Sequence, residues 1–211
     1  MTTLEQIWSG RIITIIRELG PEDAGETVNA IYAGGLDLAE ITFNQTADPS
    51  VTANIIKNLN QEFKNRVLIG AGTVMTMKQL YAAYEAGAAY IISPNADLSI
   101  IRETKRLGML SMPGAFTATE IARCYEAGAD IVKIFPSDSV GPDYIKAIRG
   151  PLPHIPISAV GGVNLDNIAA FFQAGVCCVG IGANIVDKQA VAQHDFDAIR
   201  LLAATYAAKT S

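Results

Sequence analysis

The chain has 211 residues, half of them hydrophobic, which is enough for one sizeable core and sits at the short end for a complete eight-fold barrel. With 21 acidic against 16 basic residues the formal charge is −5, which argues against a nucleic-acid face, and no run of eighteen apolar residues marks a membrane span. The start, MTTLEQIWSG, lacks the positive residues and unbroken apolar stretch of a signal peptide, so one cytoplasmic domain over residues 1–211 is expected, with small-molecule partners.

In chain order, a short helix is predicted over residues 3–9, then a first strand near 12–17 that closes on Arg17. The stretch EDAGETVNAIYAGG shows apolar spacing of three and four and reads as a helix, followed by a strand near 37–43. The third strand, near 67–72, runs into Gly-Ala-Gly-Thr at 70–73, and TMKQLYAAYEAG supplies the next helix. A fourth strand near 89–93 ends in Ser93-Pro94, and ADLSIIRETKRLG separates it from a fifth near 109–113, ended by Pro113-Gly114. The sixth lies near 130–135, the seventh near 156–160 and the eighth near 177–182, with AVAQHDFDAIRLLAATYAAK as the last helix.

Four of these junctions share a phrase, AGGLDLAEITF, EAGAAYIISP, EAGADIVKIFP and QAGVCCVGIG, in which a helix ends in Ala-Gly or Gly-Gly and a short apolar strand follows. Eight such alternations predict an α/β fold, a single (β/α)8 TIM barrel with a short N-terminal helix. An open doubly wound sheet is the alternative, but IITIIRELG carries no GxGxxG fingerprint.

Side chains alternate along a strand, so in DIVKIFP Ile131, Lys133 and Phe135 share one face, and in DLAEITF Leu38, Glu40 and Thr42 do the same. If both faces point inward, an amine and a carboxyl meet in an apolar interior near the carboxyl-end rim, where barrel enzymes hold their reactive groups. Desolvation lowers a lysine pKa and leaves a free amine able to attack a ketone; the alternative is a structural ion pair. The turns AVGGV, with Gly161 and Gly162, and GIGAN, with Gly180 and Gly182, could expose backbone N–H groups to a phosphate or serve only as tight turns.

Only His154 and His194 occur, both in predicted loop or helix regions, and they read as surface residues, so no metal site is expected. Cys124, Cys177 and Cys178 form no CxxC pair and read as reduced structural thiols. No organic cofactor is expected either.

Taken together and in order, EITF (40–43), IGAGTV (69–74), ISPN (92–95), MPG (112–114), VKIFP (132–136) and VGG (160–162) make the chain resemble the KDPG/KHG aldolases over nearly its whole length. These class I enzymes split 2-keto-3-deoxy-6-phosphogluconate or 4-hydroxy-2-oxoglutarate into pyruvate and an aldehyde. The resemblance implies Lys133 as the Schiff-base lysine, Glu40 as an acid/base acting through a bound water, and Thr73, Pro94 and Phe135 as the pyruvate pocket. It also implies Arg17 as the carboxylate partner and a homotrimer. Asn44 replaces the arginine of the best-known members, as in the phosphogalactonate aldolases, while Val160 and Ala183 replace a common threonine and serine; these differences leave phosphate binding and stereochemistry open. Two rival readings remain, a sugar-phosphate isomerase or epimerase using Glu40 alone, and a catalytically silent keto-acid-binding barrel.

Overall fold

Most helices of the computed structural model, which describes residues 1–209, begin on a side-chain cap or a proline written locally in the chain. Thr2, Thr76 and Thr117 each accept from the backbone of a residue three places on, whose Glu or Gln side chain accepts in return from the threonine's own N–H. The glycines that end the repeated phrases, Gly35, Gly87, Gly128 and Gly175, all hold positive φ, so the helix can stop and the chain turn into the next strand.

The elements are α1 (Thr3–Gly10), β1 (Ile12–Ile16), α2 (Pro21–Ala33), β2 (Leu38–Thr42), α3 (Pro49–Phe63), β3 (Leu68–Gly72), α4 (Met77–Glu85), β4 (Tyr90–Ile92) and α5 (Leu98–Arg106). There follow β5 (Leu110–Met112), β6 (Gly114–Ala115), α6 (Ala118–Glu126), β7 (Val132–Ile134), a 3-10 turn at Ser137–Ser139 and α7 (Gly141–Arg149). The chain continues through β8 (Ile157–Val160), α8 (Ile168–Gln173), β9 (Cys178–Ile181), α9 (Lys188–Ala192) and α10 (Phe196–Ala207).

All strand pairs are parallel, in the order β5-β4-β3-β2-β1-β9-β8-β7-β6. The two ends of that order, β5 and β6, are halves of one extended segment divided by Pro113, which has no N–H to give to a neighbour. On one side of this segment Ser93 N–H donates to the Met112 carbonyl (3.3 Å); on the other, Lys133 N–H donates to the Pro113 carbonyl (2.8 Å). The sheet thereby curls back on itself as a nearly closed barrel, with the expected fifth strand present in two pieces.

Two apolar layers result from the alternation along each strand. Outward residues such as Ile12, Ile41, Ile69, Val132 and Val179 bury against the helices, while Ile13, Leu38, Tyr90, Ile92, Met112, Ile131 and Cys178 fill the barrel. Ile7 of α1 belongs to this inner cluster and is fully buried, so the N-terminal helix stoppers one end of the barrel.

The last helical stretch differs from the single helix expected. It breaks between α9 and α10, where His194 adopts a φ of +53° and Asp195 starts a new helix by accepting from Ala198 N–H (3.1 Å). An aspartate preceding a fresh apolar run competes as an N-cap with continued helix, and here the cap wins. His154 and His194 are exposed, and the three cysteines are free thiols. No helix among the described residues is long and apolar enough to cross a membrane.

Candidate active site

Where the strands end, their inward side chains face a cavity of about 420 Å3. Arg17 enters from just beyond β1, Glu40 from β2, Thr73 and Pro94 from the turns after β3 and β4, and Lys133 with Phe135 from β7 and its extension. Gly161, Gly162 and Gly182 line it from the turns after β8 and β9. These nine residues, each named from the sequence, therefore border one space, and Gly180 borders it with them. A larger groove of about 490 Å3 runs along the outside between α3 and α4, but it faces solvent and gathers no buried reactive pair.

Glu40 is 2% exposed and Lys133 6%, so water does little to stabilise either charge. Burial raises the Glu40 pKa, opposed first by the Lys133 charge and then by Arg17. Burial likewise lowers the Lys133 pKa; the Glu40 charge opposes this and Arg17 reinforces it. Desolvation prevails over the mutual attraction in both, so each group is driven toward its uncharged form, a free amine beside a protonatable acid. The Lys133 Nζ lies 4.7 Å from the centroid of the Phe135 ring, which stands partly exposed at the rim.

The position of Glu40 depends on β3. A Cβ at Gly72 would lie 1.8 Å from Glu40 Oε1, so the carboxyl rests against a bare backbone. Its other oxygen, Oε2, is buried and has no hydrogen-bond partner in the chain. A buried acceptor left open in a cavity shared with a buried amine is suited to hold and pass a proton of a bound molecule. One layer below, Tyr90 is fully buried and donates to the Ala39 carbonyl (2.7 Å), in space that a Cβ at Gly70 would occupy.

Several lining residues were not picked out from the sequence, among them Ile15, Val163 and Asn184. Asn184 donates to the Val163 carbonyl (2.8 Å) and ties together the turns after β8 and β9. Nothing local in GIGAN distinguishes such an asparagine from a surface residue. Asn44 does not line the cavity: its Oδ1 accepts from Thr46 N–H and Thr46 Oγ1 (2.9 and 2.8 Å), which caps a turn. Val160 and Ala183 do line it. Among the described residues, no group of three His, Cys, Asp or Glu side chains is placed to hold a metal ion.

The chain is similar to known proteins in sequence and in fold. The family model described as KDPG and KHG aldolase matches residues 4–202. The chain is 38% identical over 176 residues to 2-dehydro-3-deoxy-6-phosphogalactonate aldolase of Escherichia coli, covering 82% of this chain and 83% of that one. It is 35% identical over 193 residues to 2-dehydro-3-deoxy-phosphogluconate aldolase of Pseudomonas aeruginosa, covering 90% and 84%. A solved KDPG aldolase from Legionella pneumophila, with pyruvate captured as a covalent carbinolamine intermediate, superposes with a TM-score of 0.87 at 28% identity, over 96% of this chain and 97% of that one.

Proposed function

Because the chain belongs to the KDPG and KHG aldolase family, we propose that the nine cavity residues divide that family's reaction among them, with Lys133 as the imine-forming nucleophile and Glu40 as the proton carrier. The protein is a class I aldolase and carbon-carbon lyase that cleaves a 2-keto-3-deoxy sugar acid to pyruvate and an aldehyde. The observation supporting the residue roles is the burial of an amine and a carboxyl in one cavity, with desolvation pushing each toward the neutral form.

The neutral Lys133 amine adds to the keto carbon; the proton held by Glu40 then leaves with the carbinolamine hydroxyl as water, which gives a cationic imine able to accept an electron pair and leaves Glu40 ionised. Glu40, directly or through a bridging water, takes the proton of the substrate's distal hydroxyl while the carbon-carbon bond breaks and the aldehyde departs. The resulting enamine takes a proton back from Glu40, and hydrolysis releases pyruvate and the free lysine. Arg17 supplies the cation for the substrate carboxylate, a role supported by its place on the cavity and by the position of Asn44 outside it. Thr73, Pro94 and Phe135 form the pyruvate end, and the glycine turns at 161, 162 and 182 the phosphate end.

Val160 presents no hydroxyl to the cavity, and with Asn44 this favours a galactonate-type over a gluconate-type substrate. The expected kcat/KM is higher for the phosphogalactonate than for the phosphogluconate or the unphosphorylated 4-hydroxy acid; a preference for the gluconate isomer would reverse this assignment. A homotrimer and a cytoplasmic location belong to the same reading, the first tested by sedimentation and the second by fractionation.

Incubation with pyruvate and borohydride tests the central step. A reduced pyruvyl group should appear on the peptide carrying Lys133 and vanish in Lys133→Ala. Turnover that persists in Lys133→Ala would refute the imine.

A further inference from the structure

Thr73 borders the cavity with a φ of +55°, a left-handed conformation that strains a β-branched residue. Something must hold it there. Its carbonyl accepts from Gln45 Nε2 at 2.8 Å, and the same Nε2 reaches the Phe43 carbonyl at 3.3 Å. Gln45 Oε1 in turn accepts from Gln79 Nε2 at 3.1 Å. Gln79 is buried, and its Oε1 accepts from the backbone N–H groups of Met75 and Thr76 at 2.8 and 3.1 Å.

The two backbone donors fix the polarity of the whole chain of amides. Because Gln79 uses its oxygen on Met75 and Thr76, it can only donate toward Gln45, and Gln45 is left with its own N–H groups facing Thr73. On either side of Thr73 the backbone is already tied, by Phe43 N–H to the Gly72 carbonyl (2.8 Å) and by Val74 N–H to the Ile92 carbonyl (3.2 Å). The Thr73 carbonyl itself is held by Gln45, which comes from the loop that follows the Glu40 strand.

We infer that Gln45 is a positioning residue: through Gln79 it clamps Thr73 in its left-handed conformation and so fixes the keto-acid end of the cavity relative to Glu40. The inference rests on the reading of Thr73 as part of the pyruvate pocket. Gln45 itself does not line the cavity and touches no reacting atom.

The test measures the pyruvate concentration that half-saturates borohydride trapping in wild type, Gln45→Ala and Gln45→Glu. Gln45→Ala should raise it about 3- to 10-fold, as expected for one lost hydrogen bond to a placed group, with the maximal trapping rate and Tm nearly unchanged. Gln45→Glu separates positioning from simple support. Ionised, it can still accept from Gln79 but turns an oxygen lone pair toward the Thr73 carbonyl; protonated, it can donate again. Its half-saturation relative to wild type should therefore be raised at neutral pH and return toward wild type near pH ~4, where a glutamate gains its proton. In a Thr73→Ala background, Gln45→Ala should add no further change. Half-saturation unchanged in Gln45→Ala, with or without a lower Tm, overturns the positioning role while leaving the Lys133 reading intact. Wild type that is not trapped at all overturns both.

Discussion

Desolvation acts at Lys133 and Glu40 on a cation and an anion at once, and it affects stability as well as reactivity. The folded Lys133 pKa lies below 10.5, so its burial cost is absent above that pH and fully present once pH falls through the folded value. The folded Glu40 pKa lies above 4.5, so its cost is absent below that pH and grows as pH rises through the folded value. Neutral pH lies within both windows. A Lys133→Met, Glu40→Gln double variant should therefore be inactive yet more stable than wild type by about 1–4 kcal/mol at pH 7, read from urea unfolding midpoints. A lower midpoint would show that the pair stabilises the fold after all. Glu40→Gln alone should lower kcat by about 10²- to 10⁴-fold while pyruvate still traps on Lys133. Because the Glu40 charge raises the Lys133 pKa, the pH midpoint of trapping should move down in that variant; a move upward would contradict the assigned coupling.

Among the elements, β3 carries two glycines whose neighbours differ, so the same substitution should have different consequences. A methyl at Gly72 meets the Glu40 carboxyl at 1.8 Å, and Gly72→Ala should reduce kcat far more than it reduces Tm. A methyl at Gly70 meets the Tyr90 ring at 2.0 Å, in a fully buried layer, and Gly70→Ala should lower the unfolding free energy by about 1–3 kcal/mol or more through overpacking. Equal effects on activity and stability at the two sites would undo this distinction. Only part of it could be read from the chain. IGAGTV marked a turn at a strand end, and the inward alternation of Glu40 and Lys133 followed from period two, because both are properties of neighbouring residues. The contact of Gly72 with Glu40 and the link from Gln45 to Gln79 join residues more than thirty positions apart, and no local pattern encodes them. The split of the fifth strand at Pro113 and of the last helix at His194 are near misses of another kind. Each depends on how a neighbouring element settles a proline or a cap that the chain displays openly.

At the scale of the molecule, α1 is the piece with no counterpart in the repeating pattern, and it decides what the barrel's far end can do. Ile7 is fully buried against the inner cluster of Ile13, Leu38 and Tyr90. Ile7→Ala should destabilise the protein by about 2–5 kcal/mol while kcat stays within about twofold, because the change lies beneath the reactive layer. A matching fall in kcat would mean that this floor also sets the geometry of the pocket. With the floor intact the cavity is a blind-ended well, and its contents can enter and leave only past the rim. On the roles proposed for the cavity residues, the fragment bonded to Lys133 is the deeper one and the fragment freed by cleavage lies nearer the rim, so traffic is last in, first out. Pyruvate should accordingly behave as a competitive inhibitor of cleavage and the aldehyde as a noncompetitive one, a kinetic order that follows from a helix stoppering the opposite end of the molecule.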